Sequence, residues 1–372
     1  MKMKLLPLDP VEIIGKSNFD AIALTIICIG WRDVIPHFTN SSNGIRLSEA
    51  CLDIWKALNG PPCERLAIMV DIRAFTVADL PRVLQFLGEA NALTDFHFPF
   101  HPGDFLHRLS NGLRGQNADK YNFLYEDNGE LIALLLIDPK DEPVFEVLIH
   151  PRHRTPELEN TLIAWTEQTQ QAHFTTANHD HELVMDVSSE DTLRRDVLTQ
   201  RGYHIEEQPY LHCTARALST PIPESTLPTD FHIRSTVEAD VEQICAVHMS
   251  AFDSTWTVEE YLRTMRTPGF DPGRELVVVA PDGRFAAFLI YWPDPISKSG
   301  LFEPVGCAKT FQRRGLTRAL MYEGMRRMVA AGMSYAQVLH ESEALNPASG
   351  PFYNALGYSH RFDYRKTVKR LV

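Results

Sequence analysis

None of the six cysteines (Cys28, Cys51, Cys63, Cys213, Cys245 and Cys307) forms a C-x-x-C pair, which excludes zinc knuckles and thioredoxin-type redox sites. The thiols are scattered, the usage expected of a reduced, cytoplasmic protein. A long apolar run is missing too. The stretch from Ala21 to Ile29 falls well short of the roughly 20 residues that span a bilayer. Asp20 precedes it and no small-residue cleavage site follows the basic start. It therefore reads as a buried strand or short helix, not as a signal peptide or membrane segment. Positive charge is in short supply: 36 Lys and Arg stand against 48 Asp and Glu, a net charge of -12. That excludes a broad nucleic-acid footprint and favours cationic partners. No G-x-x-x-x-G-K-S/T occurs, so there is no Walker phosphate loop. What is present is an ordinary globular balance, 44% hydrophobic and 23% charged over 372 residues, enough for two or three domains with cores that need no metal or disulfide.

Proline and glycine divide the chain. Asn40-Ser41-Ser42-Asn43-Gly44 and Asn59-Gly60-Pro61-Pro62 break up the beginning, and the proline-rich run from Ser219 to Pro228 reads as a linker, since proline blocks helices and central strands. The expected division is an N-terminal extension of unassigned role (1–65), a first domain (66–218), a linker (219–229) and a second domain (230–372). Met69 opens a strand of the first domain, so a start there is the alternative for the extension.

In the second domain the patterns predict a strand at 231–234, helices at 237–252 and 258–265, a hairpin (275–280 and 285–292) about Pro281-Asp282-Gly283, and a strand at 301–307. A long amphipathic helix at 314–331, a strand at 335–340, a helix at 348–356 and one or two final strands at 358–368 follow. The first domain runs in the same order: strand 66–73, helix 77–90, a hairpin about Asp127-Asn128-Gly129, strand 145–149, helix 158–171, strand 183–187 and helix 191–200. Arg201-Gly202-Tyr203 stands where the second domain has Leu356-Gly357-Tyr358. The repetition points to an internal duplication of one α/β unit.

The stretch from Leu301 to Leu320 carries the chemistry. A strand feeding a glycine turn that opens a helix builds an anion site, because the first helical N–H groups lack partners and sit at the positive end of the dipole. Gly315 lets the backbone approach closely, and Arg313, Arg314 and Arg318 add charge. Gln312-Arg313-Arg314-Gly315-Leu316-Thr317 resembles the R/Q-x-x-G-x-G/A loop of the GNAT superfamily of acyl-CoA-dependent N-acyltransferases. Thr317 replaces the final small residue. Asn346, Ala348, Tyr353 and Leu356-Gly357-Tyr358 resemble the same family's ending, with one extra residue around Gly350-Pro351. The resemblance covers the second domain and reaches the first only as topology.

It implies an α/β fold of two tandem GNAT-like domains, each a mixed, mostly antiparallel sheet flanked by helices, arranged as in mycothiol synthase-type acetyltransferases. It implies acetyl-CoA as co-substrate, its pyrophosphate held by Gln312, Arg313, Arg314, Gly315, Leu316, Thr317 and Arg318. Val305 and Cys307 would offer backbone N–H groups to the thioester, and Asn346 a hydrogen bond to pantetheine or acceptor. The implied reaction is direct acetyl transfer to a primary amine of a small molecule or protein, with Tyr353 as general acid. Glu303, on the strand before the loop, is the candidate base, with His340 and Glu341 as rivals. Pro304 predicts a bulge or edge beside it. Cys307 reads as a packing thiol. An acyl-CoA sensor without catalysis, or a scaffold that binds no CoA, are the alternatives.

In the first domain the aligned positions are Arg154, Glu157 and Glu159, and Pro156 removes a donor. Two carboxylates facing a pyrophosphate predict a degenerate half that binds no CoA and serves as scaffold or substrate wall. No metal is expected: His97, His101 and His107, and His173, His179 and His181, lack ligand spacing on a regular element. Trp256, Tyr261, Tyr291 and Trp292 read as core more than as pocket.

Overall fold

The computed structural model describes residues 39–41, 44–46, 71–95, 97–138, 144–174, 182–224 and 226–370. The extension contributes one antiparallel pair, β1 (Thr39–Ser41) with β2 (Gly44–Arg46). The apolar run at 21–29 and the beginning of the strand expected at 66–73 lie outside the described residues.

The first half contains β3 (Asp71–Ala74), α1 (Leu80–Leu93), α2 (Pro102–His107), α3 (Ala118–Tyr121), β4 (Asn122–Asp127), β5 (Glu130–Ile137), β6 (Phe145–Ile149), α4 (Pro156–Phe174), β7 (Glu182–Ser188), α5 (Thr192–Gln200), β8 (His204–Ile205) and β9 (Leu211–Ala217). The second half contains β10 (His232–Ser235), α6 (Val241–Phe252), α7 (Val258–Met265), β11 (Glu275–Val279), β12 (Phe285–Asp294), β13 (Ser299–Cys307), α8 (Leu316–Ala330), β14 (Tyr335–Glu341), α9 (Ser349–Ala355) and β15 (Ser359–Arg370).

Local chemistry explains these boundaries. Asn128 and Gly129 both take positive φ (50° and 83°), the backbone that a two-residue hairpin between β4 and β5 requires. On α1, Val83, Phe86, Leu87 and Ala90 are buried, the i, i+3, i+4, i+7 stripe of a helix lying on a sheet. The helices expected from Val77 and Val237 each begin with a 3-10 turn (Val77–Asp79 and Glu238–Asp240). In each half an arginine of the preceding strand pairs with the aspartate that ends this turn: Arg73 with Asp79 and Arg234 with Asp240, both at 2.6 Å. The duplication thus extends to a matched ion pair. Asp79 and Asp240 are held below the ordinary carboxylate range chiefly by their arginines.

The strands β3-β4-β5-β6 form an antiparallel sheet. A second sheet runs β10-β11-β12-β13-β14-β9-β15-β7, with β8 on β15. Among the described residues, a bridge between Val144 and Val184 links the two. The halves exchange strands: β9, from before the linker, lies between β14 and β15, and β15 continues onto β7. Neither β8 nor β9 was foreseen from the sequence. The second-half core gathers Leu276, Val278, Phe288, Leu320 and Met325 between sheet and helices. Among the described residues no helix is long and apolar enough to cross a membrane.

Candidate active site

Strands β13 and β14 pair in parallel over three residues only, Ser299–Leu301 with Tyr335–Gln337, and then diverge. On its other side β13 stays paired to β12 out to Cys307, with a register shift that opposes Glu303 and Pro304 to the single residue Ile290. This is the bulge that Pro304 predicts. The Ala308 N–H donates to the Ala286 carbonyl of β12 at 3.0 Å. Alternation along the strand then points the N–H groups of Val305 and Cys307 into the opening. The Gln312 side chain donates to the Cys307 carbonyl at 3.4 Å.

At one end of the opening the chain turns through Arg313 (φ 65°) and Gly315 (φ 76°) into α8. The helix starts two residues later than the pattern predicts because left-handed Gly315 is its cap. No side chain caps it; the Gly315 carbonyl accepts from Ala319 at 3.1 Å. The N–H groups of Leu316, Thr317 and Arg318 therefore lack helical partners. Arg313, Arg314 and Arg318 are exposed around them, and Arg314 also packs over Phe311 at 5.4 Å. α8 reaches its strand closely because residue 324 is glycine: a Cβ there would stand 2.5 Å from Phe302.

Deeper in, the opening becomes acidic and aromatic. Burial and the Asp104 carboxylate push Glu303 up to about 8, although its side chain is 31% exposed. Asp104 lies on α2, where its carboxylate accepts from the His101 N–H at 2.6 Å; burial pushes it up to about 7. His107, one turn on, faces Glu303 at 3.8 Å. Tyr353 is buried, and its phenol is held above the usual range by burial and by the Glu303 charge. It stacks on His340 at 4.9 Å. The His340 Nδ1–H donates to the Glu341 carbonyl at 2.9 Å, and burial lowers its basicity. This leaves His340 as a neutral platform for Tyr353. Glu341 is exposed at the strand end.

The remaining candidates fall into place individually. The Asn346 side-chain oxygen accepts from Ala348 at 3.3 Å in the turn before α9, so its amide nitrogen is the group left for a ligand. Burial pushes the Cys307 thiol up, against a Thr317 hydrogen bond and Arg314; it is not a ready thiolate. Tyr261, Tyr291 and Trp292 are core, and Trp256 packs half-buried under Arg114 at 4.4 Å. His97, His101 and His107 are engaged separately. His101 accepts from Gly103 and donates to Ser299 at 3.0 Å, and burial lowers it to about 4 against the pull of Asp294. His179 and His181 lie outside the described residues, as does the side chain of His173.

The matching cleft of the first half, between β6 and β7, has a volume of ≈ 430 Å³ and is lined in part by Ile149, Arg154, Ser188 and Arg194. Its loop end is closed by carboxylates. Fully buried Glu159 pairs with Arg154 at 2.7 Å and with Arg194, while Asp191 pairs with Arg154 at 2.8 Å. The guanidinium charge there is already neutralised.

Residues 241–358 match the Acetyltransferase (GNAT) family. The second half is a GNAT acetyltransferase domain. Over 307 residues the chain is 25% identical to a mycothiol acetyltransferase of Thermobispora bispora, covering 79% of this chain and 97% of that protein. Two solved structures share the fold. A GCN5-related N-acetyltransferase from Sphaerobacter thermophilus has a TM-score of 0.57 at 19% identity, covering 80% of this chain and 95% of that one. A tandem GNAT protein of the clavulanic acid biosynthesis pathway also has a TM-score of 0.57, at 12% identity, covering 81% and 98%. The chain is therefore an acyl-CoA-dependent N-acyltransferase with the tandem GNAT fold. The sequence reading missed Asp104, which the first half brings to Glu303 of the GNAT domain. The residue lies 199 positions before Glu303, and its only local signal is the His101–Asp104 capping pair at the start of a short helix.

Proposed function

We propose that this enzyme transfers acetyl from acetyl-CoA directly to a primary amine of a small molecule or protein, in the cytoplasm. The observation that carries the proposal is the opening between β13 and β14, which gathers Glu303, Asp104 and Tyr353 beside outward-facing strand amides and a helix N-terminus. The residues fit the co-substrate: α8 amides and three arginines suit a pyrophosphate, and the N–H groups of Val305 and Cys307 suit an extended amide arm or a polarised carbonyl.

Acetyl-CoA supplies an acyl group activated as a thioester. The chain supplies the proton handling. Glu303 takes a proton from the amine as the N–C bond forms, and Tyr353 gives one to the sulfur as the C–S bond breaks. Asp104 lines the acceptor side with a second carboxylate, which suits a substrate that arrives as an ammonium. Glu159 and Asp191, which neutralise Arg154 and Arg194, support a non-binding, substrate-wall role for that half; Glu157, the other carboxylate expected there, is exposed on α4. CoA release followed across a panel of amines tests the proposal. Saturable, amine-dependent thiol release is expected; saturable acetyl-CoA binding with no thiol release across the panel would establish the sensor instead.

A further inference from the structure

We infer that His212, His360 and Asp363 form a binding site for a zinc-class divalent transition metal at the seam where the two halves exchange strands. The inference is independent of the catalytic proposal. His212 lies on β9, and His360 and Asp363 on β15. His212 and Asp363 are direct cross-strand partners, which puts both side chains on one face of the sheet. His360 is three residues from Asp363 and would point to the opposite face of a regular strand. A register shift between His360 and Phe362 inserts one extra residue and turns His360 onto the same face; bulges re-aim side chains in this way.

One ligand atom of each residue then lies within 4.8 Å of the others. The His212 Nδ1 is 2.7 Å and the His360 Nε2 2.6 Å from one Asp363 oxygen. Ligand atoms around tetrahedral zinc stand about 3.3 Å apart. An opening of roughly 0.6 Å therefore accommodates the ion, and the His360 side chain, 55% exposed, is free to supply it. The other nitrogen of His212 already faces the Glu343 carboxylate at 3.1 Å, the outer hydrogen bond that fixes and strengthens a ligating imidazole. Two imidazoles and one carboxylate suit zinc or cobalt over magnesium or calcium. The exposed flank gives the ion an entry path and leaves the fourth position to water. The site also adjoins the catalytic platform: His340, opposite His212 on β14, packs against it at 5.5 Å and carries Tyr353 on its other side.

The test is metal titration of the chelator-treated full chain with Zn2+ and with Co2+, beside the double variant His360→Ala/Asp363→Asn and the variant Glu343→Gln. One equivalent bound by the wild type is expected, with visible bands of low-coordinate Co2+ and a raised thermal midpoint. The double variant should lose the equivalent while keeping its circular dichroism, and Glu343→Gln should bind about tenfold more weakly. If wild type and double variant take up zinc with affinities less than about tenfold apart, the inference is overturned; a fold-impaired double variant is replaced by His360→Ala alone under the same criterion.

Discussion

A carboxylic acid whose proton leaves near neutrality works as a base only above that point. Burial pushes Asp104 up to about 7, and burial together with the Asp104 charge pushes Glu303 up to about 8. The base must be ionised, so kcat/KM should rise with pH and level off above about 8. Asp104→Asn removes the neighbouring negative charge. A pH profile of that variant should show the acid limb moved toward the ordinary carboxylate range; an unmoved limb would separate Asp104 from the base. The same shifts fix a stability trend. Both pKa values are raised on folding from ordinary values of 3.8 and 4.5, so the stability they contribute is full at acid pH, is lost progressively as pH rises above those values, and is gone above about 8. Tyr353 tests the other proton. Its phenol stays neutral through the working range because burial and Glu303 hold it above the usual value. Tyr353→Phe keeps the stack on His340 and deletes only the donor. Turnover should fall by about 10²-fold or more while acetyl-CoA affinity stays within about twofold, measured by steady-state rates and titration. The tyrosine was legible because it sits at a fixed distance from the Leu356-Gly357-Tyr358 ending. Asp104 was not, because no local pattern records a charge felt across 199 residues of sequence.

At the scale of elements, the sequence told most where backbone conformation demanded a particular residue. Gly315 at φ 76° and the Asn128–Gly129 turn were readable because few other residues adopt that backbone. The register between β13 and β14, and the point where they part, were not readable, since any apolar strand fits a buried sheet equally well in pattern. The anion site lends itself to a paired test. A Cβ at position 315 would meet Arg318 at 3.5 Å, an ordinary contact, so a substitution there acts through φ and through charge. Asn tolerates the left-handed region about as well as Asp does. Gly315→Asn thus measures the backbone effect, and Gly315→Asp adds a negative charge at the helix N-terminus. The acetyl-CoA dissociation constant should rise at least about tenfold more for Asp than for Asn. Equal losses would mean that α8 does not hold the pyrophosphate. The first-half counterpart predicts the reverse chemistry. Glu159→Ala there takes the carboxylate from the buried Arg194 guanidinium, while Arg154 keeps Asp191. Denaturant unfolding should register a loss of about 3–5 kcal/mol, the cost of stranding a buried charge.

For the molecule as a whole, a cut in the linker does not separate two finished sheets. The strand β9 precedes the linker, yet its hydrogen bonds run to β14 from Tyr335 to Glu341 and to β15 from Ser359 to Tyr364. The far part of β15, Tyr364 to Arg370, completes the first half on β7. Each half therefore lacks a strand that only the other supplies. A fragment of residues 230–372 would expose the unpaired edges of β14 and β15, and such edges drive aggregation. The expectation is that this fragment, expressed alone, is aggregated or unfolded by size exclusion and circular dichroism. Co-expression with residues 1–224 should restore a soluble complex, since β9 then re-enters between its two partners. A folded, monomeric fragment that releases CoA by itself would show that the exchange is dispensable. Recovery only on co-expression would explain why a first half with its own loop closed by Glu159 and Asp191 stays in the same chain: it furnishes the strand beside β14, the strand that carries His340 beneath Tyr353.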